Sequence, residues 1–387
     1  MNILYLCDEY PPGRHGGIGT AVQLLAREMV KKGHRVVVAG FCDWGYGGED
    51  AFEDKGVKVF RFRRLLASAW FHSRDSFKVR ATYKLFKMTG LFQYDLSRSL
   101  ERYRQFLERL ISEYKIDIVE KPEFNEYVQY CKTITPFPQL SVPTIVKLHG
   151  SITYILRENG IEPDDVVFGI EKQVIQDADA ISAVSLFSAE TANKYFDNKK
   201  AVEVVYNGVE IPELPPITKR PMRVVYAGAL REKKGVFQLM KAWNRVVKVL
   251  PQAELILLGN GHVERVRTYL DADAKRSVKF KGHVGKKELF ANFSEAEVAV
   301  FPSYAETFGL AVIEAMLCGT ATISTNRGAG PEIIRDGIDG AIVDPDDVAG
   351  IAEKIVKLLN EEALRRKLGT NGRARVLEEF EIGKVAD

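Results

Sequence analysis

A chain of 387 residues, 46% hydrophobic and 28% charged, is long enough for two domains with separate cores and too apolar to be disordered. No window approaches the roughly 18 apolar residues that a membrane span needs, and the first residues lack the basic stretch of a signal peptide. The four cysteines are scattered without a CxxC pair, which argues against a disulfide framework or a zinc site and favours a cytoplasmic protein.

The first half of the chain alternates short apolar strands with helices. After the strand NILYLC comes a glycine-rich loop, and then a helix predicted from about Thr20 to Lys32, with Gly33 as its left-handed stop. Short apolar strands between helices predict a parallel sheet that is covered on both faces. The further strands of this half are RVVVAGF, IDIVEK, PTIVKLHG and DAISAVS.

Residues 61–109, called the basic aromatic segment below, concentrate positive charge and aromatic rings. They hold twelve Lys/Arg, four Asp/Glu and ten aromatic residues, Trp70 and Phe71 among them, and so carry +8 in a chain of net charge +3. One interpretation is a helical subdomain with its rings inward. The other is a surface for an anionic membrane and a lipid-linked acceptor, which would make the protein peripheral on the inner face of the membrane. Nothing else in the sequence supports a nucleic-acid partner.

The stretch NGVEIPELPPITKRP interrupts the alternation, and its four prolines predict an extended linker. The strand and helix pattern then restarts, so the sequence predicts an α/β protein of two Rossmann-like, doubly wound parallel-sheet domains with a cleft between them. The predicted domains are residues 1–208 and 209–370, with a C-terminal helix, 371–387, returning to the first domain. The strands of the second half are RVVYAGAL, AELILLG, VKFKGHV, VAVFPS and TATIST.

Two carboxylates stand in an almost wholly apolar stretch, SYAETFGLAVIEAMLCGTATI, at Glu306 and Glu314. A buried carboxylate needs hydrogen-bond donors. Eight helical residues span about 12 Å, which suits one ligand held at both ends with its middle at the helix N-terminus. Because a helix N-terminus favours an anion, a diphosphate flanked by sugar hydroxyls fits this spacing. Alternatively, Ser303 and Glu306 form a capping box, although this leaves Glu314 unexplained.

Three cations follow the strand that ends at Gly228, namely Arg231, Lys233 and Lys234. Cations at the carboxyl end of a strand can neutralise phosphate oxygens. The alternative is an ordinary solvated turn.

Together these stretches resemble the family 4 retaining glycosyltransferases, whose GT-B fold has two facing Rossmann-like domains. The resemblance rests on ETFGLAVIE, on TATISTNRGAGPEII and DGIDGAIVDP after it, and on PPGRHGGIG, DADAISAVS, VVYNGVE and LLGNGHV in the family's order. It implies that Glu306 holds hydroxyls of the transferred sugar, that Glu314 holds the ribose, and that the backbone of Phe308, Gly309 and Leu310 contacts sugar and phosphate.

The resemblance also implies roles for the cations. Lys234 matches the lysine of the family pattern G-R-L-x-x-x-K-G and would bind the diphosphate. Ala229 stands where that pattern has arginine, and Arg231 would supply the missing charge. This departure is the one feature that favours a rival function, a nucleotide-sugar-binding subunit without catalysis.

Further candidates lie at the ends of predicted strands. Gly16 and Gly17 let the backbone approach a phosphate or sugar, in a spacing that is not the NAD fingerprint. His149 ends an apolar strand, and the resemblance implies that it contacts the donor sugar. We expect Glu120 and Glu123 to contact the acceptor. Three residues are expected to border the nucleotide base, mainly through their backbone: Asn260, Gly261 and His283.

The resemblance implies transfer of a hexose with retention, and we expect the reaction to be independent of a metal. No pair of aspartates is placed to hold a divalent metal, so the charge of the leaving group would be stabilised by Lys234, Arg231 and helix dipoles. Catalytic roles are expected for Glu306, His149, Lys234 and Arg231. No cofactor is expected; the donor is a UDP-sugar or GDP-sugar, and the acceptor is a sugar or a lipid-linked sugar.

Overall fold

The computed structural model describes residues 1–13, 15–42, 48–64, 77–158, 160–213 and 218–387. The chain forms two compact units, Met1–Val205 and Tyr206–Val385. The division lies close to the predicted boundary after residue 208. Every predicted strand quoted above is present, and the α/β class with two predominantly parallel sheets is confirmed.

The first unit is built on an eight-stranded sheet of order β3-β4-β2-β1-β5-β6-β7-β8. All neighbouring strands are parallel except β3 and β4, which form an antiparallel edge. In the middle of the sheet Leu4 pairs with Val37 on one side and Val119 on the other. The strands are β1 Asn2–Leu6, β2 Arg35–Cys42, β3 Ala51–Asp54, β4 Val57–Arg63, β5 Ile118–Pro122, β6 Thr144–Leu148, β7 Ala180–Ala183 and β8 Val202–Val204.

Helices cover both faces of this sheet, as the apolar strands predict. Ile3 and Tyr5 of β1 pack with the first helix on one face, whereas Leu4 and Leu6 pack in the larger cluster on the other. The helices are α1 Gly17–Lys31, α2 Phe77–Thr89, α3 Leu91–Tyr114, α4 Ile152–Arg157, α5 Asp165–Asp177 and α6 Leu186–Phe196, with a 3₁₀ turn at Glu126–Tyr130. Helix α1 begins three residues before the predicted start, and Gly33 has the predicted left-handed φ of 88°.

Most of the described part of the basic aromatic segment is helical. Helix α3 buries one stripe of side chains in the core: Phe92, Leu96, Leu100, Tyr103 and Leu107. The predicted helical subdomain is therefore present in α2 and α3. Residues 65–76, including Trp70 and Phe71, lie outside the described residues. None of the helices in the described ranges combines the length and apolarity that crossing a membrane requires.

The second unit has a six-stranded, wholly parallel sheet of order β11-β10-β9-β12-β13-β14. Its strands are mostly buried, which explains their apolar runs, except that the edge strand carries the exposed Lys279 and Lys281. The strands are β9 Arg223–Ala227, β10 Glu254–Leu258, β11 Val278–Gly282, β12 Val298–Phe301, β13 Ala321–Thr325 and β14 Ala341–Val343.

The helices of this unit include one whose Trp243 and Met240 are completely buried in the core. The helices are α7 Val236–Val249, α8 Val263–Arg267, α9 Ala272–Ser277, α10 Lys286–Glu295, α11 Leu310–Leu317, α12 Gly330–Ile333, α13 Val348–Asn360, α14 Glu362–Arg375 and α15 Ile382–Val385, with a 3₁₀ turn at Glu232–Lys234 and a π-helical turn at Val376–Phe380.

The C-terminal segment differs from its prediction. Residues 371–385 pack within the second unit, where we expected a helix returning to the first. Arg375 forms an ion pair with the buried Asp339, and the ring of Phe380 packs edge-on against Phe308. These contacts hold the segment in the second unit.

Candidate active site

The carboxyl edge of the second sheet brings together most of the predicted donor-site residues. Strands β10, β9 and β12 are successive neighbours, and the loops after them carry Asn260, Lys234 and Glu306, respectively. In open parallel sheets ligands bind at this edge. The fold therefore explains why residues far apart in sequence meet here.

Glu306 and Lys234 form an ion pair, with 2.8 Å between Oε2 and Nζ. Their side chains are 14% and 27% exposed, so the pair is shielded but reachable. The backbone of the loop is fixed from two directions, because Tyr304 N donates to Lys233 O and Ala329 N donates to Glu306 O, both at 2.9 Å. The loop thus presents a carboxylate and an ammonium at fixed positions.

Helix α11 begins at Leu310, with Gly309 as its N-cap at a φ of 96°. Within the described chain, the N–H groups of Phe308, Gly309 and Leu310 have no hydrogen-bond acceptor. The capping-box alternative is wrong, because no side chain caps this helix and the carboxylate of Glu306 binds Lys234 instead. The side chain of Phe308 is buried against Tyr206 and Phe380, which leaves its backbone as the group that can contact a ligand.

Glu314 is a buried carboxylate with one cationic partner. Its side chain is 4% exposed and forms an ion pair with Lys286, whose side chain is 51% exposed. Burial raises the pKa of Glu314, and the positive charge of Lys286 opposes this shift. The sequence indicated that this carboxylate needs a donor but did not identify Lys286, which begins α10 and lies 28 positions earlier in the chain.

Three cations lie close together after β9. Lys234 N donates to Arg231 O at 3.0 Å, so the 3₁₀ turn folds the backbone of these residues together. Burial lowers the pKa of Lys233, and the charges of Lys234 and Arg231 lower it further. The side chain of Arg231 is exposed. Such clustered positive charge suits a ligand with several negative charges.

The residues expected to border the base also meet. Leu230 N donates to Asn260 O at 2.9 Å, and His283 N donates to the side-chain Oδ1 of Asn260 at 3.1 Å. Gly261 forms a parallel bridge with Leu230. Asn260 therefore ties the ends of β9, β10 and β11 together.

In the first unit, Gly16 and Gly17 lie at the start of α1 and are exposed. The carboxylate of Glu9, which the sequence did not indicate, accepts from Gly16 N and Gly19 N, each at 3.0 Å. A negative charge thus already occupies this helix N-terminus, which argues against a phosphate there. The predicted glycine contact stays a prediction.

His149 follows β6 at the carboxyl edge of the first sheet and is buried. Burial and the charge of Lys147 lower its pKa to about 3, so the imidazole is neutral at working pH. The carboxylate of Glu123 accepts from His149 N at 2.9 Å and Gly150 N at 2.6 Å. Because Glu123 is buried behind this loop, its geometry argues against the predicted acceptor contact.

Glu120 lies within β5, paired with Tyr5 of β1 and Ile145 of β6. Burial raises the pKa of Glu120, and the charge of Lys147 opposes this shift. Glu120, the other residue predicted to contact the acceptor substrate, therefore lies in a strand rather than in a loop. Among the residues that the structure describes, no group of three or more His, Cys, Asp or Glu side chains is placed to hold a metal ion.

Comparison with known proteins gives two family matches that together span most of the chain. Residues 15–212 match Glycosyltransferase Family 4, and residues 210–375 match Glycosyl transferases group 1. A glycogen synthase of Mycobacterium tuberculosis is 25% identical over 401 residues, which cover 100% of this chain and 92% of that protein.

Two solved structures resemble the whole chain. The sucrose-phosphate synthase of Thermosynechococcus elongatus has a TM-score of 0.79 at 19% identity, covering 100% of this chain and 96% of that one. Anabaena Alr3699/HepE in complex with UDP and glucose has a TM-score of 0.74 at 16% identity, covering 100% and 97%. These likenesses show the fold, which is GT-B.

Proposed function

The chain belongs to glycosyltransferase family 4, and we propose that it is a metal-independent retaining hexosyltransferase. It would move a hexose from a UDP-sugar or GDP-sugar to an acceptor hydroxyl in the assembly of a cell-surface polysaccharide or glycolipid. The observation that carries the proposal is the geometry at α11. The ion pair of Glu306 with Lys234 lies just before its first N–H groups, which have no acceptor among the described residues. The buried Glu314, paired with Lys286, lies further along the helix.

This arrangement matches the chemical groups of a nucleotide sugar. The N–H groups of Gly309 and Leu310 and the ammonium of Lys234 suit the diphosphate. The carboxylate of Glu306 would accept hydrogen bonds from hydroxyls of the transferred sugar, and that of Glu314 from the ribose. The structure in complex with UDP and glucose, from a protein of the same fold, supports this class of donor.

In the proposed reaction the acceptor oxygen bonds to the anomeric carbon as the bond from that carbon to the diphosphate oxygen breaks. The departing diphosphate gains negative charge, which Lys234, Arg231 and the start of α11 stabilise. A diphosphate oxygen takes the proton of the acceptor hydroxyl. The neutral His149 would donate or accept a hydrogen bond at the sugar, without carrying charge.

We also propose that an anionic membrane surface is a partner. Eleven large hydrophobic side chains are exposed among the described residues. Five of them form what we call the α2–α3 patch: Leu85, Met88, Leu91, Tyr94 and Ile134.

A polar contact connects the segments that carry the α2–α3 patch, and exposed cations lie beside it. Lys132 N donates to the side chain of Gln93 at 2.8 Å, which brings the segment of Ile134 to the start of α3. Lys84, Arg98 and Lys132 are exposed beside the apolar residues. Apolar side chains bordered by cations suit the interface of an anionic bilayer. The surface would give the enzyme access to a lipid-linked acceptor.

Thermal unfolding with UDP, GDP, ADP and their sugars tests the donor assignment. A ligand that binds only the folded state raises the melting temperature, so one nucleotide should shift it more than the others. The sugar of the corresponding nucleotide sugar should then be transferred to an acceptor or slowly hydrolysed, and EDTA should not prevent this. NMR of the product should show that the anomeric configuration is retained. Binding without either reaction would favour the rival binding subunit; loss of activity in EDTA, restored by Mg²⁺ or Mn²⁺, would contradict the metal-independent site.

A further inference from the structure

The loop that carries His149 is held through its main chain by two buried glutamates. Glu123 accepts from the N–H groups of His149 and Gly150, at 2.9 and 2.6 Å. Glu171 of α5 accepts from those of Ile152 and Thr153, at 2.7 and 3.0 Å. Both carboxylates thus bind two neighbouring N–H groups each, so this loop and the first turn of α4 are fixed at four points.

Both carboxylates are almost completely removed from water, with 1% exposure for Glu123 and none for Glu171. Within the described residues neither forms an ion pair, so their polar partners are N–H groups rather than cations. Burying a carboxylate without a cation is costly. If the turn required only that its N–H groups have hydrogen-bond acceptors, neutral acceptors would be enough. Ser151 Oγ is such an acceptor for Tyr154 N.

The two acceptors come from different elements. Glu123 follows β5, the strand that pairs with β6, and Glu171 belongs to α5. Residues 149–153 are therefore clamped between a neighbouring strand end and a helix. Each carboxyl group accepts hydrogen bonds from two consecutive N–H groups, one on each oxygen, so it restricts the loop more than a single contact would.

We propose that Glu123 and Glu171 are positioning residues for sugar transfer, which fix the main chain of residues 149–153 and thereby the place of the His149 imidazole. This inference rests on the proposed function, in which His149 contacts the donor sugar. Neither glutamate needs to touch the substrate.

The variants Glu123→Gln and Glu171→Gln test the inference, with UDP-glucose hydrolysis as the assay and UDP binding as a second measurement. Each variant should lower kcat at least tenfold, while KM for UDP-glucose and Kd for UDP stay within threefold. The matched control is Glu108→Gln, because Glu108 also accepts from a backbone N–H of the first unit, that of Ser141 at 2.9 Å. Its kcat should stay within twofold of wild type.

Amide hydrogen exchange, resolved to single residues by mass spectrometry, gives a readout that needs no substrate. Glu123→Gln should speed exchange at His149 and Gly150 at least tenfold, and Glu171→Gln should do the same at Ile152 and Thr153. Unchanged exchange would overturn the clamp. Faster exchange with normal kcat, or a loss that falls on KM instead of kcat, would overturn the positioning role.

Failure of the proposed function would be visible in the wild type, as absence of both UDP binding and turnover with the nucleotide sugars. Failure of this inference would be visible only in the two variants. If one variant does not fold, the other tests the same clamp at its second carboxylate.

Discussion

At the scale of single residues, the two glutamates of the proposed donor site differ in how far their side chains are buried. Glu314 is nearly inaccessible and holds the half-exposed Lys286, whereas Glu306 is more accessible and holds Lys234. A buried carboxylate suits a constant contact with the nucleotide, made equally in the ground state and the transition state. Glu306 stands with Lys234 just before the start of α11, where charge develops in the proposed reaction.

We expect Glu314→Gln to weaken UDP binding about tenfold, or about 1.4 kcal/mol, and to change kcat little. Glu306→Gln should lower kcat about 100-fold and leave the Kd for UDP nearly unchanged, because its contact is made with the transferred sugar. Calorimetric titration with UDP and initial rates with UDP-glucose measure the two effects. Glu288→Gln, at an exposed carboxylate of α10, is the control. Equal losses of UDP affinity in both variants would contradict the assignment.

A pH effect on stability is expected from Glu123. Burial raises its pKa to about 7, the negative charge of Glu171 also raises it, and the N–H groups of His149 and Gly150 lower it. The unfolded chain has a lower pKa of about 4.3, so the folded state binds the proton more tightly between these values. The stability that Glu123 contributes is therefore complete below about pH 4 and is lost as pH rises through 7.

The difference in free energy of unfolding between the wild type and Glu123→Gln should thus shift against the wild type by up to about 3 kcal/mol between pH 5 and pH 8. Urea unfolding of both proteins at pH 5, 6, 7 and 8 measures this difference, with Glu108→Gln as the reference glutamate variant. A difference between wild type and variant that does not change with pH would show that Glu123 is ionised throughout this range.

At the scale of elements, the start of α7 depends on a close approach. Gly235 is the left-handed residue between the 3₁₀ turn of Lys234 and α7, with a φ of 67°. A Cβ there would lie 1.7 Å from the carbonyl oxygen of Pro302, just after β12. The absence of a side chain lets the turn of Lys234 approach the loop of Glu306.

Gly235→Ala should therefore lower the free energy of unfolding by about 1–3 kcal/mol and weaken UDP binding, because the clash must move one of the two loops. Chemical denaturation and titration with UDP measure both effects. Gly285→Ala is the matched control, since Gly285 also precedes a helix but has a negative φ and open space around its Cβ position. Equal stability of the two variants would contradict this view of the turn.

The order of strands and helices could be predicted because each buried strand is a continuous apolar run of the kind that parallel sheets require. The donor loop could be predicted because carboxylates in an apolar stretch are conspicuous. Lys286 and Glu9 could not, because an exposed lysine or a loop glutamate has no local signal and its partner is set by tertiary contacts. The C-terminal segment was misplaced for the same reason, since its docking depends on Asp339 and Phe308.

At the scale of the whole molecule, charge is unevenly divided along the chain. The basic aromatic segment carries +8 in a protein of net charge +3. Its described part includes α2 and most of α3, where four of the five residues of the α2–α3 patch lie. An anionic surface would therefore attract one region of the molecule, and the exposed apolar side chains there could enter the interface.

We expect the protein to sediment with vesicles of phosphatidylglycerol and phosphatidylcholine at 0.1 M salt, and not with phosphatidylcholine alone. Each basic residue near such a surface contributes about 1 kcal/mol. At 1 M salt the Debye length falls from about 10 Å to about 3 Å, so binding should weaken, with a remainder from inserted apolar side chains.

Leu85→Ser with Met88→Ser should remove the binding that remains at 1 M salt. The control, Ile161→Ser with Leu186→Ser, changes two other exposed apolar residues of the first unit, each at least half exposed, and should bind like wild type. A wild-type protein that stays in the supernatant with both lipids at both salt concentrations would show that the patch does not bind membranes and would favour a water-soluble acceptor.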